Sequence, residues 1–547
     1  MAELTVPDLL DPTPRTRIDR EQTKFGITMA FAGSTSGGLF ADALDKAALP
    51  ASSWDPRGFA EDLFLQRFAA QYFSLASPEG AEISLTSPRY LVRALSQPPS
   101  DPRAVGFRTD ILRELVEAPA LRAALTGLHR DLARTRALLE NTGAMKSYDR
   151  NRQRLDTLGA MKQVIDRLGE FALARSGLAR LGALGKELRE GEPYRSLTDL
   201  LGYDAKLATL NLKVSVGADG QIRAFDVLSI EESNENAFVN PFWRRWLARF
   251  ELFLRGYSFS KGEVLARLID SVFTGLEDAV VLFVQLLGDV EFYLGALGFR
   301  DRTERAGLVT SLAVLVSRDE PRELRGLFNP LLFFSGTTPV PCDVVVNATT
   351  SATLITGPNS GGKTRLLQSI ALTQLLAQNG LFVPARVARV TLASGLVASL
   401  IEGTKADQSE GRLGMEMMRI RGLFERLPPN AMVLLDELCS GTNPSEGERI
   451  VELVLGMLHR LRPQAFITTH FLAFADRLAQ AGTVPGLSFV QVEINAERRP
   501  TYQFKPGVAK SSLAEATAER LGVTGDQLLS LVEENLRRHA ATSPQRG

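Results

Sequence analysis

Apolar positions along the chain fall into two regimes. From about residue 101 to 330 they recur at helical spacing, with arginines spread over the polar positions between them. DPRAVGFRTDILRELVEAP, PALRAALTGLHRDLARTRALLE and RLDTLGAMKQVIDRLGEFALAR read as amphipathic helices. Leu268 to Leu297 is a longer, mostly apolar helical stretch. Within it Val280 to Leu287 is short and flanked by Glu277, Asp278, Asp289 and Glu291, which predicts a core helix and not a membrane span. From about 329 onward the pattern changes. Strand-like runs at Val344 to Val346, Thr353 to Thr356, Met432 to Leu435 and Ala465 to Thr468 alternate with helices. That alternation predicts a largely parallel sheet with right-handed crossovers.

Smaller features interrupt both regimes. Asp55 to Tyr72 repeats apolar residues at helical spacing after an Asp-Pro start and predicts one helix. Leu212 to Val216 alternates, Gly217 to Gly220 makes a turn, and Gln221 to Val227 returns, so a small hairpin is expected inside the helical region. Phe242 to Phe250 reads as an amphipathic helix with snorkelling arginines. His129, His459 and His539 sit in helical surface patterns, and the end ATSPQRG reads as a disordered tail. The expected boundaries are a mixed segment over 1–100, a helical core and lever domain over 101–328, an α/β nucleotide-binding domain over 329–530, and a helix end with tail over 531–547.

The chemistry lies in the last third. Leu354 to Thr364 reads LITGPNSGGKT, the G-x-x-x-x-G-K-S/T pattern of a phosphate-binding loop between a strand and a helix. Gly357, Pro358, Asn359, Ser360, Gly361, Gly362, Lys363 and Thr364 are therefore the expected ATP-binding residues. Glycines let backbone N–H groups turn toward phosphate oxygens, and the helix start adds a favourable dipole. Lys363 is expected to neutralise the β- and γ-phosphates, and Thr364 to hold Mg²⁺. MVLLDE at 432–437 is a buried strand ending in two carboxylates. Asp436 fits the acid that holds Mg²⁺, and Glu437 the base that polarises attacking water. Ser440, Gly441 and Thr442 form a small-residue turn before a helix that Pro444 opens. One nucleotide does not need two such anion-binding turns, so this surface is expected to meet the nucleotide held by a second subunit. His470, at the end of another strand, is placed to sense the γ-phosphate.

Taken in order, these motifs resemble the ATPase domain of the MutS family of DNA mismatch-repair and related DNA-binding proteins. TGPNSGGKT with Phe382 to Ala385 is similar to that family's phosphate loop and Phe-Val-Pro-Ala turn. DELCSGTNPSEG, TTHF and the stretch TYQFKPGVAKSSLAEATAERLGV at 501–523 resemble its signature, switch and closing segments. FNPLL at 328–332 is similar to its His-Pro-Leu lead-in, with Asn329 where a His is usual. The resemblance implies an α/β P-loop NTPase of ABC type preceded by a mostly α-helical core and lever domain. It further implies an Mg-dependent ATP hydrolase, with Lys363, Glu437 and His470 catalytic, acting as a homodimer through its ATPase domains. DNA is the implied partner, of unknown specificity.

Departures narrow this. Phe59-Ala60-Glu61 has the letters of the family's mismatch wedge but lies in an amphipathic pattern. Cys439-Ser440 stands where many members have Gly-Arg. A shortened member without the mismatch-reading domain is expected, coupling ATP turnover to DNA clamping in mismatch repair or a related role. The alternative is an ATP-driven switch acting on a protein or ribonucleoprotein. A transporter-type subunit would carry an LSGGQ-type signature, which the chain does not.

Composition changes little. The chain has 547 residues, 44% hydrophobic and 23% charged, with 63 basic and 63 acidic side chains. Zero net charge offers no global attraction to nucleic acid, so any such contact must be local. The arginines at 130, 134, 136, 150, 152 and 154 are the local candidates. Only two cysteines, Cys342 and Cys439, and an acidic N-terminus without an apolar leader predict a cytoplasmic protein with no membrane partner.

Overall fold

The computed structural model describes residues 4–34, 37–76, 82–140, 150–207, 211–216, 222–229, 261–358, 360–400, 412–439, 443–510 and 523–542. The expectations at Asn359, Gly217 to Gly220, Phe242 to Phe250, Ser440 to Thr442 and the tail 543–547 lie outside the described residues. The chain forms two compact units that are not contiguous in sequence. One comprises 1–50, 73–91 and 106–298, the other 51–72, 92–105 and 299–547. The expected boundaries fall at 100 and 328.

The first unit is helical. Helices at Pro102–Glu117, Pro119–Glu140 and Arg150–Leu168 fall where the periodicity places them, and Ala179–Glu190 and Glu192–Leu207 continue the helical region. The hairpin forms from Asn211–Val216 and Ile222–Ser229 paired antiparallel. The helix Lys261–Arg305 has Ile269, Val280, Leu286, Val290, Phe292 and Leu297 all buried. A helix apolar on every face belongs in a core, and the membrane-length stretch within this one is wholly buried in the protein.

Of the acids that flank its apolar stretch, Glu277, Asp289 and Glu291 are buried and partnered, and Asp278 is half-buried. Asp289 is fully buried; it accepts from the Arg17 guanidinium, from Tyr90 Oη at 2.7 Å and from Leu9 N at 3.1 Å. Arg17 also donates to Asp8 at 3.2 Å. Burial alone would lower the Arg17 pKa, but Asp289, Tyr90 and Asp8 outweigh it and hold it well above the ordinary value. Glu291 takes Thr86 N at 2.9 Å and lies 3.5 Å from His129 Nε2. His129 is thus a core residue, correcting the surface assignment: its helix face packs inward. We expect Asp289→Asn to destabilise this unit by roughly 3 kcal/mol, because it leaves the buried Arg17 charge under-compensated. Urea denaturation followed by circular dichroism measures this, and an unchanged midpoint would contradict it.

The candidate DNA-facing arginines are largely engaged within the protein. Arg154 is buried, ion-paired with Asp270 and set over the Phe31 ring at 4.6 Å. Arg136 bonds Glu140 and Thr86 Oγ1, both at 3.0 Å, Arg134 donates to Gln163, and Arg152 pairs with Asp156.

The second unit is α/β. Its sheet takes strands β1 (Ala352–Thr356), β2 (Leu396–Ser399), β3 (Met432–Leu435), β4 (Gln464–Thr468), β5 (Leu487–Ile494) and β6 (Pro500–Pro506). The order is β2-β3-β4-β1-β5-β6, with all neighbours parallel except β5 and β6. Strands β1, β3 and β4 are buried at every position, the composition a parallel sheet covered on both faces requires. Helices α1 (Lys363–Gln378), α2 (Arg412–Arg426), α3 (Pro444–Leu461) and α4 (Leu472–Ala481) accompany it. The run at Val344 to Val346 is not part of this sheet. It lies in Cys342–Val346, on the edge of a four-stranded sheet with Arg322–Leu327, Val387–Val390 and Val314–Leu315. There it alternates buried and exposed positions, as an edge strand with one wet face does.

The segment expected as one helix over Asp55 to Tyr72 divides. A 3₁₀ turn covers Pro56–Gly58, and the helix begins only at Leu65, because Phe64 at φ +50° breaks the helical path. The first part lies along β2. Trp54 Nε1 donates to Ala393 O at 3.0 Å, and Asp62 accepts from Leu400 N at 2.6 Å. Phe59 is 1% exposed and meets the Trp54 ring edge-on, a core role in keeping with its amphipathic pattern.

Candidate nucleotide-binding site

Strand β1 delivers the phosphate loop and α1 carries it away. Two of its glycines are demanded by the backbone and by space. Gly357 has φ +142°, and a Cβ there would lie 2.6 Å from Val492 Cγ2. Gly362 caps α1 at φ +82°, and its Cβ would lie 3.3 Å from the Tyr502 ring. Pro358 and Gly361 are buried beside them, and Ser360 is exposed at the tip. The N-terminus of α1 opens at this loop, where the helix dipole favours an anion. Fourteen of the helix's sixteen residues are buried, so it is held on all sides. Asn329, in the lead-in, accepts from Leu332 N at 3.0 Å and donates to Arg365 O at 2.8 Å, tying its own short helix to the first turn of α1.

The parallel register brings the other candidates to the same end of the sheet. β4 lies between β1 and β3, with Leu435 opposite Ile467 and Thr468 opposite Ile355. Ligands in open α/β sheets bind outside the carboxyl ends of strands, where the strand order reverses. Asp436 and Glu437 follow β3 at that end. Thr364 Oγ1 donates to Asp436 Oδ2 at 2.5 Å. Lys363 Nζ donates to Gly357 O at 2.9 Å and Pro358 O at 3.2 Å, and lies 3.6 Å from Glu437 Oε1. Lys363 is only 3% exposed. Burial pushes its pKa below the ordinary lysine value, against the opposing pull of Glu437 and Asp436.

Glu437 stands at φ +46° and Cys439 at φ +62°, so the chain turns sharply after β3 through left-handed residues that are not glycine. Both cysteines are free and buried, and burial pushes the Cys439 thiol up to about 11. His470 is exposed after β4, with its ring 4.2 Å from that of Phe471. Asn443, not singled out from the sequence, caps α3 by accepting from Ser445 N at 3.1 Å. Val492, Tyr502 and Thr468 were also missed. The first two sit on β5 and β6, far from the loop in sequence, and only sheet order brings them to it.

The donor set fits a hard divalent cation. A threonine hydroxyl and an aspartate carboxylate within one hydrogen bond of each other are the few protein oxygens that Mg²⁺ takes when phosphates and waters complete its shell. Among the described residues no group of three or more His, Cys, Asp or Glu is arranged as an all-protein metal cage.

A glycine loop between a buried strand and a helix start, a buried lysine and an acidic strand end together define a P-loop nucleotide-binding fold. The family model described as MutS domain V matches residues 353–535. Over these residues the chain is similar to MutS domain V, the ATPase domain of the MutS family. Endonuclease MutS2 of Ruminiclostridium cellulolyticum is 32% identical over 189 residues, 34% of this chain and 24% of that protein. Endonuclease MutS2 of Shouchella clausii is 33% identical over 186 residues, 34% and 23%. That of Clostridium botulinum (strain ATCC 19397 / Type A) is 31% identical over 199 residues, 36% and 25%. The chain thus spans about a quarter of the length of these relatives.

Proposed function

We propose that the protein is a MutS-like ATPase of ABC type that couples ATP binding and hydrolysis, at a site shared by two copies of the chain, to clamping DNA in mismatch repair or a related process. The observation that carries this reading is the convergence of Lys363 and Thr364, after β1, with Asp436 and Glu437, after β3, at the carboxyl end of the sheet. In this reading the loop backbone and Lys363 hold the β- and γ-phosphates. Thr364 and Asp436 hold Mg²⁺, which supplies charge neutralisation on the transferred phosphoryl group. Glu437 orients and deprotonates the attacking water, and His470 contacts the γ-phosphate. Ser440, Gly441 and Thr442 complete the partner copy's site. Exposed Leu453 and Met457 on α3, and exposed Leu529, Val532 and Leu536 on the helix Gly525–Thr542, support a self-association surface.

The test is Mg-dependent ATP hydrolysis by the full chain, with and without mismatched, branched and plain duplex DNA across a salt series. We expect hydrolysis, and DNA binding that weakens steeply with salt. No hydrolysis under any condition would overturn the enzyme assignment.

One observation favours a second reading. Four of the six candidate arginines are engaged within the protein. This suits an ATP-driven switch on a protein or ribonucleoprotein. Hydrolysis without DNA binding, together with a partner that co-purifies through nuclease treatment, would select it.

A further inference from the structure

Thr468 ends β4 fully buried, beside the acidic pair. Its hydroxyl donates to Asp436 Oδ1 and accepts from Glu437 N at 2.8 Å. A hydroxyl has one proton to give and two lone pairs to receive with, so both bonds form at once. Each bond has a consequence. Glu437 is a non-glycine residue at φ +46°, a conformation that persists only where its surroundings enforce it. The Thr468 acceptor holds the N–H of that residue. The donated bond takes one carboxylate oxygen of Asp436 and leaves the other for Thr364. The same strand end leads through Thr469, whose N–H donates to Ile355 O on β1 at 3.1 Å, to His470.

We infer that Thr468 is a positioning residue for the acidic pair. Its hydroxyl fixes Glu437 in its left-handed turn and assigns the two oxygens of Asp436, one to β4 and one toward Thr364 and the metal position. The inference rests on the proposed ATPase reading, in which Glu437 acts on water and Asp436 on Mg²⁺.

Thr468→Val keeps the shape and removes the hydroxyl, and Thr468→Ser keeps the hydroxyl. In the full chain with Mg-ATP, we expect Thr468→Val to lower kcat by about 10- to 100-fold, the scale of a misplaced reacting group. KM for ATP should stay within about threefold of wild type, since the loop that binds phosphate is untouched. Thr468→Ser should restore most of kcat. A merely structural threonine would not give this split between kcat and KM or this rescue by the hydroxyl. Should Thr468→Val fail to fold, Thr468→Ala is held to the same kcat criterion. Wild-type turnover in the valine or alanine variant, or equal impairment of the serine variant, would overturn the inference while the ATPase reading stands. Absence of hydrolysis by the wild-type chain, run in parallel, would overturn the ATPase reading itself and this inference with it.

Discussion

Glu437→Gln is expected to bind Mg-ATP yet lower turnover at least about 100-fold, the scale of a lost general base. The substitution is nearly isosteric. It keeps the backbone N–H that Thr468 accepts and the turn at φ +46°. What it removes is the carboxylate 3.6 Å from Lys363 Nζ, and with it the group able to take a proton from water. Binding should survive because the loop N–H groups, Lys363, Thr364 and Asp436 are unchanged. Filter binding of labelled ATP beside single-turnover hydrolysis separates the two properties. A variant that hydrolyses ATP at the normal rate would show that Glu437 is not the base.

The second large effect is at Lys363, and it divides function from stability. Lys363→Met should abolish nucleotide binding, because no cation then faces the phosphates, while leaving the fold as stable as before or more so. The reason is the sign of its pKa shift. Burial lowers the folded-state pKa below the unfolded value of 10.5. Between those two values the unfolded chain binds more protons than the folded one, so stability rises with pH across that window. Below the window the fold carries the full cost of a buried ammonium. Methionine fills the same space without the charge, so the variant should lose this alkaline rise. Thermal unfolding from neutral pH to pH 10.5 tests it. A marked drop in the midpoint of Lys363→Met at neutral pH would show that the lysine's bonds to Gly357 O and Pro358 O stabilise the fold more than its burial costs.

The sheet and its loops were legible because they are written in short-range chemistry. A buried strand needs an unbroken apolar run, as in MVLL. A phosphate loop needs glycines where φ is positive, as at 357 and 362. What could not be read were choices made by distant residues. Cys342–Val346 reads as a strand, but nothing local says which sheet it joins. Phe64 carries no signal that its backbone turns left-handed and splits the expected helix. His129 and Arg154 look like surface residues on their own helices, and become core residues only through Glu291 on one side and Asp270 with Phe31 on the other. The clamp made by Thr468 was hidden for the same reason. A threonine two residues before His470 looks like a spacer until β3 lies beside it.

The discontinuous make-up of the second unit also governs how the protein must be made. Trp54 waits for Ala393, 339 residues later, and Asp62 for Leu400, 338 later. Asn379 reaches back 284 residues to Leu95, and Phe382 310 residues to Tyr72. At ribosomal speeds of about 5–20 residues per second, the early segments wait roughly 15–70 s before their partners are synthesised. Among the described residues the segment from Trp54 to Asp62 lies along the edge strand β2, so a fragment starting at 329 would lack that cover. The nucleotide-binding unit can therefore close only once these late partners have been synthesised.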